Sequence, residues 1–358
     1  MRTLPITFAA LAVLAPCAQA AGESVHGELL AMSFDDLAAI DVSASSLLPA
    51  SLLSAASSIT AFTPRDWERS GARRTLDALD GTPGVVVLPH TNGNEVLAIR
   101  GYARLTSFTG VAVTLDGVPL TDLYRSSPQY NFSGLNLGVM AQMQLIQGPG
   151  SALYGSDAFH GLLALRTRDG EEGGQQASVS AGQRGYYEAG AYFSQALGEG
   201  SSWSIGAAAN GEGDQQRSAS RPNPAGGAPL SLLRENRFLA QTAVLKAASA
   251  NSGGWRFSGA LYLHRYGADN FQGLGSRLAG VQDLGGLDTR FAMLQAGAKR
   301  GMGETGSLEL KAYGWWVDND LPGRLQLPTG LVQRDLSSRQ RRFGLQAIYR
   351  DALPAWRT

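Results

Sequence analysis

The sequence predicts a small α+β domain followed by antiparallel, membrane-spanning β-strands belonging to an incomplete barrel. Three observations carry this reading. Charged residues make up only 17% of the chain while glycine supplies 45 positions, a pairing typical of many strands joined by tight turns. From about Gln175 onward, segments of roughly ten residues alternate between apolar and small or polar side chains, the period of a strand with two different faces. Finally, the connections between these segments alternate between long and short, the rhythm of a transmembrane β-barrel.

In chain order, Arg2, the apolar stretch from Leu4 to Ala15 and Ala18-Gln19-Ala20 form an export signal over residues 1–20, cleaved after Ala20. The single cysteine, Cys17, falls inside this signal, so the mature chain is expected to hold no disulfide. Leu14-Ala15-Pro16-Cys17 has the outline of a lipid-attachment site, but Pro16 stands where such sites want a small flexible residue. Thirty basic side chains balance thirty acidic ones, which gives no bias toward nucleic acid. Beyond the signal there is no apolar run of about 18 residues, so a membrane-spanning form requires strands.

Thr63-Pro64-Arg65-Asp66 reads as a helix start, with a hydroxyl N-cap, Pro at the first helical position and an acid in the first turn. Ser70-Gly71 ends it, and a second short helix is expected over Arg73 to Leu79, stopped by Gly81-Thr82-Pro83-Gly84. Short apolar runs follow at Val85–Leu88, Val96–Ile99, Val111–Leu115, Met140–Ile146 and Leu162–Leu165, separated by turn-forming residues, and read as strands.

Eight candidate strands then lie near 175–182, 186–197, 202–212, 237–247, 255–265, 290–300, 307–318 and 340–350. In the fifth, Trp255, Phe257, Leu261 and Leu263 share one face, opposite Arg256, Ser258, Tyr262 and His264. The eighth places Phe343, Leu345, Ala347 and Tyr349 opposite Arg342, Gly344, Gln346 and Arg350. Soluble β-sandwiches also alternate, but their strands usually stop at about five or six residues. The connections 213–236, 266–289 and 319–339 are long, whereas 248–254 and 301–306 are short.

ITAFTPRDWERSGARRTLDALDGTPGVVV, from Ile59 to Val87, resembles the first half of the plug domain of TonB-dependent outer-membrane receptors. Val96 to Tyr102 is similar to that family's strand ending in Arg100-Gly101-aromatic. Val113 to Leu120 resembles its Asp116-Gly117 turn, and Ile146 to Gly155 its Gly148-Pro149-Gly150 segment with Tyr154 and Gly155. Upstream, Ile40-Asp41-Val42-Ser43-Ala44 resembles the box by which the family engages TonB through β-strand addition. The resemblance implies an organisation of signal 1–20, periplasmic segment 21–58, plug 59–170 and partial barrel 171–358, the first strands of a 22-stranded barrel in a truncated receptor. It also implies the TonB complex, outer-membrane lipid and a small extracellular ligand as partners. Ferric siderophore is the commonest cargo, cobalamin the next. Gln144 and Gln147 stand where the family usually carries Glu and Arg, which puts its usual plug–barrel ion pairs in doubt.

Other functions find less support. The glycines named above fit positive-φ turns, and Gly148-Pro149-Gly150-Ser151 lacks the lysine of a phosphate loop. Arg100 and Asp116 are expected to pair, or to bind backbone, inside the plug. His26, His90, His160 and His264 are scattered without metal-ligand spacing, and Asp318-Asn319-Asp320 begins like a calcium loop that Leu321-Pro322 then breaks. Neither catalysis nor a cofactor is expected, because no nucleophile elbow and no usable cysteine exist. A signalling receptor and a non-transporting outer-membrane binding protein stay open as alternatives.

Overall fold

Local hydrogen bonding decides the first elements. The computed structural model describes residues 41–42, 50–51, 58–89, 95–102, 110–121, 128, 134–149, 156–171, 174–198, 200–213, 216–221, 230–235, 237–271, 282–303, 306–327 and 330–350. The expected export signal, Ile40, Ser43, Ala44, Gly150, Tyr154 and Gly155 lie outside these residues. Strand β1 (Asp41–Val42) pairs antiparallel with β2 (Ala50–Ser51). After β3 (Ser58–Phe62), helix α1 (Pro64–Ser70) starts where expected: Thr63 donates both its backbone N–H and its Oγ1 to Asp66 Oδ2, each at 2.7 Å. Gly71, at φ 69, ends it in the left-handed conformation.

The expected second helix over 73–79 shrinks to a 3-10 turn, Asp77–Leu79. The Asp77 carboxylate accepts from the backbone N–H groups of Arg73 and Arg74 at 3.3 and 3.1 Å and holds the Arg74 guanidinium at 3.0 Å, which caps the start of this turn.

The hairpin β4 (Val85–Pro89) and β5 (Glu95–Ile99) precedes β6 (Val111–Leu115), β7 (Val118–Pro119), β8 (Met140–Gln147) and β9 (Gly161–Thr167). These last four join β3 in a mixed sheet of order β3-β8-β9-β6-β7, in which only the β6–β9 pair is parallel. All five residues of β6 are buried, as a central strand covered on both faces requires.

A second sheet follows: β10 (Gly174–Ala181), β11 (Tyr187–Gly198), β12 (Ser201–Glu212), then β13 (Gln216–Arg221) and β14 (Leu230–Glu235) as a separate hairpin, and β15 (Arg237–Ala248), β16 (Trp255–Phe271), β17 (Gln282–Met302), β18 (Gly306–Leu327) and β19 (Gly330–Arg350). Its order, β10-β11-β12-β15-β16-β17-β18-β19, is an antiparallel meander interrupted only by the hairpin. All eight expected strands are present. The last four are longer than expected, 17 to 22 residues, because pairing continues through polar sequence where apolar alternation no longer marks a strand. Two expected long connections are therefore largely extended backbone, and 213–236 contains β13 and β14.

The sheet has two faces. Val179, Leu245, Phe257, Leu261, Leu263, Leu294, Phe343 and Leu345 are exposed on one. Tyr262, Phe291, Met293, Trp315 and Val317 are buried on the other, in the same apolar cluster as Leu79, Val113, Leu115, Met143 and Leu163 of the first domain. The first domain thus sits on the inner face of the second sheet. Among the described residues no helix is long and apolar enough to cross a membrane.

Candidate functional site

The β6–β7 turn is built from Asp116 and Gly117, at φ 47 and 81, between the paired Leu115 and Val118. Two successive positive-φ residues make a tight hairpin turn, and aspartate is among the few side chains that tolerate this region. The turn projects into the wall of the second sheet. Asp116 Oδ1 accepts from the Thr167 N–H at 3.0 Å, and Oδ2 accepts from Thr167 Oγ1 at 2.6 Å and from the Tyr262 hydroxyl at 2.5 Å. Lys246 Nζ lies 3.0 Å from Oδ2 and donates to the Thr167 carbonyl at 3.0 Å.

The Asp116 carbonyl accepts from Gln295 Nε2 at 3.2 Å and Lys311 Nζ at 3.1 Å, while Trp315 Nε1 donates to the Pro119 carbonyl at 3.2 Å. Four neighbouring strands, β15 to β18, therefore converge on one four-residue turn. Burial pushes the Asp116 carboxyl up, but the Lys246 charge and the Thr167 and Tyr262 hydrogen bonds outweigh it and hold the group below the usual carboxylate value. The carboxylate is ionised and tethered.

A second contact zone lies toward the ends of the strands that lead into the longer connections. Asn210 Nδ2 donates to the Arg73 carbonyl at 3.0 Å, and the Arg73 guanidinium stacks 4.2 Å from the Tyr186 ring. Gly134, at φ +70, packs so closely on Tyr266 that a Cβ there would stand 2.4 Å from Cδ2. A cavity of about 460 Å³ separates the segment 67–73 from β10 and β11, lined among others by Arg73, Arg168, Glu68, Glu188, Tyr186 and Tyr192. Its lining holds two arginines and two glutamates, so its charge is balanced.

The TonB-dependent receptor plug domain model matches residues 51–162. The vitamin B12 transporter BtuB of Vibrio vulnificus (strain CMCP6) is 29% identical over 133 residues, which cover 37% of this chain and 21% of that protein. Two solved structures share the fold: the siderophore receptor PiuA of Acinetobacter baumannii (TM-score 0.65, 14% identity, 90% of this chain and 46% of that one) and the ferric-catecholate import receptor Fiu of E. coli K12 (TM-score 0.60, 12% identity, 84% and 47%). Residues 51–162 thus match the plug domain of TonB-dependent receptors, and the strands that follow share the fold of a receptor-type β-barrel. The chain spans about half the length of those solved receptors, and the relatives found are transporters and receptors rather than enzymes.

Within the plug, the motif residues take different roles. Arg100, at φ 51, is exposed and donates its N–H to the Gly84 carbonyl at 2.7 Å. It is not among the partners of Asp116, whose ligands come from β9 and the barrel wall. Gly101 and Gly148 have φ 78 and 134, and Pro149 is exposed. Gln144 is buried, and its Nε2 donates to Gln142 Oε1 at 2.9 Å; Gln147 Nε2 donates to the Pro83 carbonyl at 2.9 Å. These two glutamines serve the plug internally, and Asp116–Lys246 supplies a plug–barrel ion pair instead. No motif in the sequence marks Lys246, Gln295 and Lys311 as partners of the turn. The available signal was a lysine at an inward position of an otherwise apolar strand, as in Leu245-Lys246-Ala247.

Proposed function

We propose that this chain forms the plug and first barrel strands of a TonB-dependent importer in the outer membrane of a Gram-negative cell, delivered there by the signal over residues 1–20. Its cargo is a small extracellular chelate, a ferric siderophore in the first instance. The observation that carries the proposal is the plug turn at Asp116 anchored to four successive barrel strands: a body held in the lumen by this turn and by the apolar contacts around it closes the pore until a pull releases it. Residues 40–44 receive that pull. Part of the segment, Asp41–Val42, is already extended and paired with Ala50–Ser51, and strand addition to a partner sheet needs such a backbone. Because a relative is a vitamin B12 transporter, cobalamin is the second reading.

The test is uptake of labelled ferric siderophore and labelled cobalamin by cells carrying this chain's plug in a complete barrel. Val42→Pro removes a backbone donor and is expected to abolish uptake while leaving surface binding of the cargo intact. Uptake that persists in the variant, or in cells lacking TonB, overturns energy coupling through this segment. Binding without any uptake by the unmodified chain favours the non-transporting reading.

A further inference from the structure

The wall groups that hold the plug turn are all donors. Lys246 Nζ and the Tyr262 hydroxyl reach the Asp116 carboxylate at 3.0 and 2.5 Å, Gln295 Nε2 and Lys311 Nζ reach the Asp116 carbonyl at 3.2 and 3.1 Å, and Trp315 Nε1 reaches the Pro119 carbonyl at 3.2 Å. Gln295 Oε1 is turned to Tyr262 within the wall, 3.1 Å from its hydroxyl. Glu309, the acid beside Lys311, lies 3.9 Å from it and is held more closely by Arg350, at 2.9 Å. The donors come from β15 to β18, and each of these strands is hydrogen-bonded to a neighbour on both sides.

Strand register places these groups at one level of the lumen. From the side of the long connections, the inward rows run Ala240, Tyr266, Thr289 and Asn319, then Thr242, His264, Phe291 and Val317, without a carboxylate or an ammonium. Tyr262 and Trp315 stand in the next row, Lys246 and Gln295 in the one after, and Lys311 in the third. Arg256, Lys299 and Glu309 follow toward the short turns. The inner face of these strands therefore changes from neutral to basic at the level of the plug turn. Lys246 and Lys311, with side chains 17% and 19% exposed, lose the Asp116 carboxylate and carbonyl when that turn withdraws, and ammonium groups left without an acceptor favour another anion.

We propose that Lys246, Tyr262, Gln295 and Lys311 form a carboxylate-binding site that the plug's own Asp116 occupies while the lumen is closed, and that takes a carboxylate of an anionic chelate once the turn has left. The inference rests on the importer reading and names its cargo class: a chelate that carries carboxylates is favoured over one that carries none. The carboxylate of the plug acts as a stand-in for the cargo, so binding of cargo at this level and redocking of the plug exclude each other.

The test uses the full chain in detergent micelles, with labelled citrate as the carboxylate probe and cyanocobalamin, which carries no carboxylate, as the control. Asp116→Gly removes the plug's carboxylate and keeps a residue suited to positive φ. It is expected to bind citrate about tenfold more tightly than the unmodified chain, and Lys246→Met in the same background to reverse the gain, with cyanocobalamin unaffected by either change. Equal citrate binding by the unmodified chain and Asp116→Gly, or a gain that survives Lys246→Met, overturns the site. If circular dichroism shows that Asp116→Gly does not fold, the unmodified chain decides: citrate is expected to raise protease cleavage of the plug above that in sodium chloride of equal ionic strength, and no excess overturns the site. Uptake by a complete barrel carrying this plug, without citrate binding, overturns the site and leaves the importer reading intact, whereas citrate binding without any uptake does the reverse.

Discussion

A carboxylate taken out of water costs several kcal/mol unless its partners are close and well oriented. Asp116 meets this demand with one lysine, one tyrosine and two donors from Thr167. Asp116→Asn leaves Lys246, whose side chain is 17% exposed, without its counter-charge; the expected loss is about 3–5 kcal/mol, the range for breaking a buried pair. The readout is protease cleavage of the plug in a chain whose barrel strands stay protected. Lys246→Met should cost a similar amount, and the double variant less than the sum of the two, because each single change strands the other partner. The sign of the pH dependence follows from the lowered carboxyl. Docking stability is fully present above the ordinary value of 3.8 and is lost as pH falls through the lower value of the docked state. Denaturant titrations from neutral into acid should show that decline in the unmodified chain and a flatter profile in Asp116→Asn.

Single elements show what the sequence carried and what it did not. The start of α1 was legible because Thr63, Pro64 and Asp66 act on their own neighbours, and Thr63→Ala should cost about 1 kcal/mol of helix stability, measurable by denaturant unfolding. The strands of the barrel sheet were legible for the same reason, since alternation is local: Tyr262 and His264 are buried and Leu261 and Leu263 exposed, as their spacing predicted. The partners of Asp116 were not legible. Lys246, Tyr262, Gln295 and Lys311 lie 130 to 195 residues along the chain from it, and no periodicity links a turn to a wall that far away. The same holds for Gly134, which reads as a loop glycine until Tyr266 is placed against it. Gly134→Ala combines a disfavoured backbone conformation with a 2.4 Å approach to that ring, so it should loosen the plug by about 1–3 kcal/mol. Increased amide exchange in 134–147, with barrel strands unchanged, is the measurement.

For the molecule as a whole, the decisive question is what solvent the outer face of the barrel sheet meets. Leu345 is 87% exposed and Phe343 69%, and Leu345 shares its outward row with Gly259, Ala296 and Ala312, well inside the apolar band. Burial alternation alone is equally satisfied by a sandwich in water, but the two settings respond oppositely to a charge at this position. In water an exposed Leu→Arg change stays within about 0.5 kcal/mol of neutral. At the middle of a bilayer an arginine on the lipid face of a barrel costs about 2–4 kcal/mol, and the cost falls toward the interfaces. Leu345→Arg is therefore expected to destabilise the chain by about 2–4 kcal/mol in lipid vesicles. Arg339, at the band's boundary, offers the internal control, because Arg339→Leu should change stability far less. A neutral Leu345→Arg in vesicles contradicts the lipid-facing assignment of this surface, and with it the lumenal position of the plug that Asp116 anchors to the opposite face.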